Sequence, residues 1–259
     1  MSLEAVFVRN GERFTATDLG RGPWNPNALH GGAPAALLMH AFETCEPNPD
    51  LRIARVTYEL VRPVPVGALS VAVRVTRPGR RVMLLEATIE DEGGTEVVRA
   101  RALRIRPSEV GAAAAQPPPF PGPEDGAFND FENAGLAMFA THGLEIRFVE
   151  GAFRRPGPAT AWLRLRYPII AGEPITQLER LAAAGDFGNG IASVVSWEEH
   201  VFINADLTLY VEREPRGEWV ALQSETRLEA GSVGIVESVL WDRDGRIGRA
   251  TQALLVARR

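Results

Sequence analysis

The stretch Asn25–Glu43, "NPNALHGGAPAALLMHAFE", carries the reading of the whole chain. A polar turn ending in Gly31 and Gly32 opens directly into a helical pattern. Ala35, Leu38, Met39 and Phe42 recur at i, i+3, i+4 and i+7, so an amphipathic helix is predicted, beginning at the glycine pair. The first N–H groups of a helix have no intrahelical acceptor, and the helix dipole stands behind them. At Gly31 and Gly32 such donors suit a phosphate or a developing oxyanion. The residues alone leave a second reading open, in which the glycines only permit a tight entry turn and His30 caps or packs.

Beyond this helix come "LRIARVTYELVRPVPVG", "ALSVAVRVTRPG", "RRVMLLEATIEDEGG" and "TEVVRARALRIRP", four β-rich runs separated by Gly or Pro turns. They are expected to form a meander. The segment "GAAAAQPPPFPGPEDGA", residues 111–127, has small residues, a proline cluster and no apolar period, which is linker chemistry. After it the order returns. "PITQLERLAAAGDF" is helix-like and is followed by "HVFINADLTLYVEREPRG", "EWVALQSETRLEAG", "SVGIVESVLWDRDG" and "RIGRATQALLVARR". An offset of 150 places Pro65 and Gly67 on Pro215 and Gly217, and Arg99-Ala100 on Arg249-Ala250, without a gap. The expected organisation is therefore an internal repeat: residues 1–110, a linker at 111–127, and residues 128–259. A strand-rich half with one helix must wrap its sheet around that helix to bury both apolar faces. Two such halves would join sheet edge to sheet edge.

Three polar positions stand out in the second half. Leu178, Ala182 and Asp186 fall at i, i+4 and i+8, so a helix reaching that far would aim a carboxylate down its core-facing stripe. The alternative is that Asp186 belongs to the loop ending the helix. In "IGRATQALLVA", Gln252 shares parity with Gly248, Ala250, Leu254 and Val256, a small apolar face on which a buried amide needs partners. A glutamine at a solvent-facing sheet edge fits the same parity. In "FINADLTLY", Asn204, Asp206 and Thr208 share strand parity and are expected to point the same way; Asn204 also reads as a bulge or strand-start asparagine.

"HGG" opening a central helix, followed by antiparallel strands, resembles the hot-dog fold. The tandem order, with "GDFGNG", "FINADLTLYVEREPRGEW" and "ATQALLV" in the second half, resembles the double hot-dog acyl-CoA thioesterases of the thioesterase II type. The resemblance implies an α+β tandem hot-dog, two antiparallel sheets each wrapped around a central helix. It also implies an acyl-CoA substrate, with Asp186, Gln252 and Asn204 as the catalytic set and His30, Gly31 and Gly32 at the oxyanion and substrate. Relatives often carry threonine where Asn204 stands, so Thr208 is the fallback for that role. Met39 and Ala102 occupy the acid and amide positions of the first half, so one composite site is expected, built mainly from the second. A non-catalytic acyl-CoA or lipid-binding hot-dog protein is the competing expectation.

Composition narrows the field further. The net charge is -5, which argues against a nucleic-acid partner; apart from four histidines the basic residues are arginines without a single lysine, a compositional bias. Cys45 is the only cysteine, which excludes an internal disulfide and a Cys-based zinc site and points to a reducing cytoplasm. No run approaches a membrane span of ~18 apolar residues, so no membrane is expected. There is no Gly-x-Ser-x-Gly elbow, His-Glu-x-x-His, Walker loop or Gly-x-Gly-x-x-Gly turn. No metal or cofactor is expected, and chemistry falls to water directed by carboxylate and amide groups. Free sheet edges in each half lead to the expectation of a homodimer or larger homo-oligomer.

Overall fold

The computed structural model describes residues 4–109, 111, 118–128, 136–231 and 233–259. A first hairpin, β1 (Phe7–Asn10) and β2 (Arg13–Ala16), precedes helix α1 (Gly32–Thr44). Then come β3 (Arg52–Leu60), β4 (Ala68–Arg77), β5 (Val82–Glu90) and β6 (Glu96–Ile105). The short β7 (Ala127–Phe128) leads to a second hairpin, β8 (Leu144–Ala152) and β9 (Arg155–Leu165), and to helices α2 (Gln177–Gly185) and α3 (Gly188–Ile191). The chain closes with β10 (His200–Asn204), β11 (Asp206–Val211), β12 (Val220–Leu228), β13 (Gly234–Asp242) and β14 (Gly245–Arg258). Residues 112–117 of the segment expected as a linker lie outside the described residues. Its described end turns at Pro123–Asp125, and β7 pairs with β8.

The four runs of each half do not form a simple meander. β3 pairs with β6 and not with β4, and β11 pairs with β14, so the order is β2-β4-β5-β6-β3 on one side and β11-β14-β13-β12-β9 on the other. The chain therefore crosses over after β3 and again after β11, which leaves a face on which each helix lies. Both hairpins extend the outer side of their half, β2 on β4 and β9 on β12, and in each half the hairpin precedes a helix and then a run of strands, four in the first and five in the second, where β10 and β11 both pair with β14.

Antiparallel pairing of β3 with β11, with Thr57 opposite Thr208, joins the expected two sheets into one continuous fourteen-stranded sheet. Two strands exposing matching N–H and C=O rows satisfy each other, which is the simplest way to remove two edges.

Every residue of α1 from Gly32 to Phe42 is buried. The predicted amphipathic helix is thus buried all round, because β4, β5 and β6 cover one side and α2 covers another. Alanines at 33, 35, 36 and 41 keep α1 thin. A Cβ on Gly32 would lie 2.5 Å from the Ala183 carbonyl oxygen and 3.0 Å from the Phe139 ring. The glycine is set by this helix–helix contact, which brings the start of α1 against the end of α2.

Candidate functional site

Asp186 is the C-cap of α2, with φ -83 and ψ -2, and its side chain is buried. Leu178 and Ala182 are buried with it, so the core-facing stripe reaches the carboxylate even though the regular helix stops one residue earlier. Gln252 is 2% exposed on the inner face of β14, so the solvent-facing reading does not hold. Its Nε2 donates to Asp186 Oδ1 at 3.2 Å and to the Asp186 carbonyl at 3.3 Å. Asn204, at the end of β10, donates from Nδ2 to Asp186 Oδ1 at 2.8 Å and to the Asp206 carbonyl at 3.0 Å. One carboxylate oxygen thus receives two amide donors. Both amides spend both protons on Asp186 and backbone carbonyls.

The second oxygen faces the other half of the chain. Asp186 Oδ2 lies 3.1 Å from His30 Nδ1, and a Cβ on Gly31 would sit 2.6 Å from the same oxygen. Gly31 is the N-cap of α1, so the glycine pair serves two close approaches, one to a carboxylate and one to a carbonyl. The Gly32 N–H points at His30 Nδ1, 3.1 Å away. Nδ1 has one site for a proton or a lone pair, so it either accepts from Gly32 or, protonated, donates to Asp186. The His30 ring is stacked on Phe187 at 4.3 Å and tilted against Phe139 at 5.5 Å, which fixes its plane.

The shared parity of Asn204, Asp206 and Thr208 does not survive in the fold. Asn204 lies opposite Leu254 and Thr208 opposite Thr251, so four steps along β10 and β11 match three along β14. The extra residue makes a bulge at Ala205, and a bulge reverses the faces beyond it. Asp206 Oδ1 accepts from the Ala253 N–H at 2.7 Å, satisfying the bulge. The Thr208 hydroxyl reaches Thr57 across the β3–β11 junction at 3.2 Å, so the fallback residue lies away from Asp186.

Sequence reasoning missed Asn189. It sits in α3, buried, with its backbone N–H donating to Gln252 Oε1 at 3.2 Å and its Nδ2 donating to Asn204 Oδ1 at 3.3 Å. Its place in "GDFGNG", three residues after Asp186, was the available signal. A cleft of about 490 Å³ opens onto His30, Gly31, Asp186, Asn189 and Asn204. Leu29, Leu60, Ile203 and Leu255 contribute apolar walls, and Arg62 is the one arginine lining it, its guanidinium held by the Glu96 carbonyl at 3.0 Å. Among the described residues there is no cluster of His, Cys, Asp and Glu able to hold a metal.

The registers show how the two halves differ at this place. Ala87 stands opposite Ala100 and Val73 opposite Ala87, while Ser238 stands opposite Ala250 and Ser224 opposite Ser238. Matching Ala100 with Ala250 therefore matches Val73, Ala87 and Ala102 with Ser224, Ser238 and Gln252. The second half is polar where the first is apolar. Met39 is fully buried in the core.

At the far end of the α1–α2 pair lies a different cluster. His40 Nδ1 is 2.9 Å from Glu179 Oε1 and its Nε2 is 3.3 Å from Glu173, while the Thr176 hydroxyl donates to Glu43 at 2.6 Å. Burial pushes the Glu43 carboxyl up to about 7; the Thr176 hydrogen bond works against this, and the negative charges of Glu179 and Glu214 add to it. The hydrogen bond to Glu179 raises His40 above its ordinary value. Both groups hold a proton more tightly folded than unfolded, so stability is fullest below their unfolded values and is lost as pH rises through the folded ones. For Glu43 that window runs from 4.5 to about 7, a loss of at most about 3 kcal/mol. Glu43→Gln, which keeps the acceptor for Thr176, is predicted to flatten the fall in Tm between mildly acidic and alkaline pH. Melting curves of both proteins across that range test it, and an unchanged slope in the variant counts against it.

Comparison with known families gives two adjoining matches. Residues 20–105 match the acyl-CoA thioesterase N-terminal domain and residues 112–256 match the acyl-CoA thioesterase C-terminal domain. Among solved structures, a thioesterase II candidate from Thermobifida fusca is similar at 18% identity, covering 100% of this chain and 99% of that one, with a TM-score of 0.74. A hot-dog-fold protein of unknown function from Alicyclobacillus acidocaldarius has 16% identity, coverage of 98% and 95%, and a TM-score of 0.73. The acyl-CoA thioesterase II TesB2 of Mycobacterium marinum has 16% identity, coverage of 96% and 94%, and a TM-score of 0.68. These likenesses give the fold as hot-dog. A comparison with the curated proteins gives no match.

Proposed function

Because this chain belongs to the acyl-CoA thioesterase family and is a thioester hydrolase, we propose that it cleaves acyl-CoA by direct attack of a water activated by Asp186. The observation that carries this reading is the division of labour on the carboxylate: Oδ1 is held by Asn204 and Gln252, and Oδ2 is turned toward His30 and Gly31 at the cleft. The acyl-CoA thioester carbon lies above Oδ2. Water bonds to that carbon while its proton passes to Asp186, the general base. The N–H at Gly31 at the start of α1 stabilises the oxyanion, since the N–H of Gly32 is directed to His30. Collapse breaks the C–S bond, Asp186 returns the proton to the thiolate, and a carboxylic acid and the CoA thiol leave. Asn204 and Gln252 act here by holding the base, because their N–H groups are already engaged.

The apolar walls of the cleft suit an acyl chain, and Arg62 at its edge suits a CoA phosphate. The two adjoining family matches support a tandem of two hot-dog units, with the proline-rich segment at the start of the second match, which begins at residue 112. We further read the protein as a homodimer or larger assembly, which light scattering at micromolar concentration tests. No described helix is long and apolar enough to cross a membrane.

The test of function is thiol release from acyl-CoAs ranging from acetyl to palmitoyl. Acyl-CoA binding without thiol release would favour the non-catalytic reading. On the best substrate, Arg62→Gln is predicted to raise KM about tenfold, one charge-assisted contact being worth ~1.5 to 3 kcal/mol, with kcat unchanged. The matching acyl-pantetheine, which has no nucleotide phosphates, should show no difference between variant and parent; an equal KM rise on both substrates would remove Arg62 from the phosphate.

A further inference from the structure

Buried amides are ambiguous about which end faces a neighbour unless a partner that only donates or only accepts fixes them. Both amides on Asp186 are fixed in this way. Gln252 Oε1 accepts from a backbone N–H, that of Asn189, so its Nε2 must turn to Asp186. Asn204 Nδ2 donates to a backbone carbonyl, that of Asp206, and Asn204 Oδ1 accepts from Asn189 Nδ2. Asn189 therefore touches the oxygen ends of both amides, once through its backbone and once through its side chain.

The fold makes this double contact unavoidable. A Cβ at Gly188 would lie 2.7 Å from Ser238 Oγ and 2.9 Å from Gln252 Oε1, so α3 presses directly on the sheet at the residue before Asn189. The Ser224 and Ser238 hydroxyls, 2.7 Å apart, continue the polar row beneath it. With two oxygen ends accepting from Asn189, two nitrogen ends converge on Asp186 Oδ1, and Oδ2 is left for chemistry.

We infer that Asn189 is the positioning residue of this site: its backbone N–H sets the polarity of Gln252, and its side chain holds the oxygen end of Asn204, whose polarity the Asp206 carbonyl sets, so that both amides donate to one oxygen of Asp186. The inference rests on the proposed role of Asp186 as base and extends it to a residue that need not touch the reacting water. Its two contacts differ in kind, which gives the test. The side chain acts only through Asn204, whereas the contact to Gln252 is backbone and is kept by any residue with an N–H, that is, all but proline.

The experiment measures kcat and KM on the best acyl-CoA for Asn189→Ala, Asn204→Ala, Gln252→Ala and the two pairs containing Asn189→Ala. Asn189→Ala is expected to lower kcat about tenfold with KM unchanged to within about twofold, as for loss of one buried hydrogen bond of ~1 to 1.5 kcal/mol. In the Asn204→Ala background the same change should have no further effect, and in the Gln252→Ala background its full effect should remain. Asn189→Asp keeps the shape but not the donor, and is expected to lower kcat and move the acid limb of its pH profile upward, since it brings a second negative charge to the site. A wild-type-like Asn189→Asp would show that Asn189 only fills space. Multiplicative losses with Asn204→Ala, or a rise in KM alone, would overturn the inference in favour of direct substrate contact. If Asp186→Asn is inactive while the Asn189 cycle fails, only this inference falls; an active Asp186→Asn removes the base itself.

Discussion

Asp186→Asn is expected to reduce kcat for acyl-CoA hydrolysis by about 100- to 10,000-fold, the range typical of a lost general base. The substitution preserves size, and an amide oxygen at Oδ1 still accepts from Asn204 and Gln252, which approach at 2.8 and 3.2 Å. The atom replacing Oδ2 becomes an N–H donor beside His30, unable to take a proton from water. Affinity for acyl-CoA should hardly change, since the residue contacts the reacting water and not the body of the substrate. In this background Gln252→Ala should cost little more, because an amide that orients the base has nothing left to orient. Steady-state kinetics of the two single variants and the pair, with calorimetric titration of acyl-CoA onto the inactive variant, measure all of this. Full activity in Asp186→Asn would falsify the mechanism.

Gly31→Ala is expected to lower kcat about 100-fold, the scale of an ångström of misplacement at a reacting centre. The added Cβ would stand 2.6 Å from Asp186 Oδ2 and 3.1 Å from Cγ and Oδ1. The carboxylate cannot swing freely, since two amides pin its other oxygen. Neither can α1 withdraw from α2 without disturbing the neighbouring contact, where Gly32 meets the Ala183 carbonyl and the Phe139 ring. The base must therefore move relative to the cleft. Gly67→Ala is the control, because a Cβ there meets nothing within 4 Å, and it should keep kcat within about twofold of the parent. A Gly31→Ala protein that melts like the parent and retains its kcat would show that this contact does not set the position of the base.

The local chemistry of the sequence determined a good part of the result. A period of 3.6 places α1 after the glycine pair, and a period of two puts Gln252 in one row with Gly248, Ala250 and Leu254; these patterns depend only on near neighbours and on which side is apolar. Long-range pairing decided the rest. Which strands become neighbours depends on partners far along the chain, and the expected meanders gave way to β3 beside β6 and β11 beside β14. The parity of Asn204 and Thr208 failed for a similar reason, since the bulge at Ala205 is defined only against β14. Asn189 was legible only as a neighbour of Asp186 in "GDFGNG", because its importance lies in the direction of two hydrogen bonds to residues on other elements. Gly31 could be read from the sequence as a helix start, but not as the space a buried carboxylate needs. Periodicity tells which face of an element is buried, while the meeting of His30 and Gly31 from one half with Asp186 from the other requires the antiparallel contact of two helices, a distance no local pattern encodes.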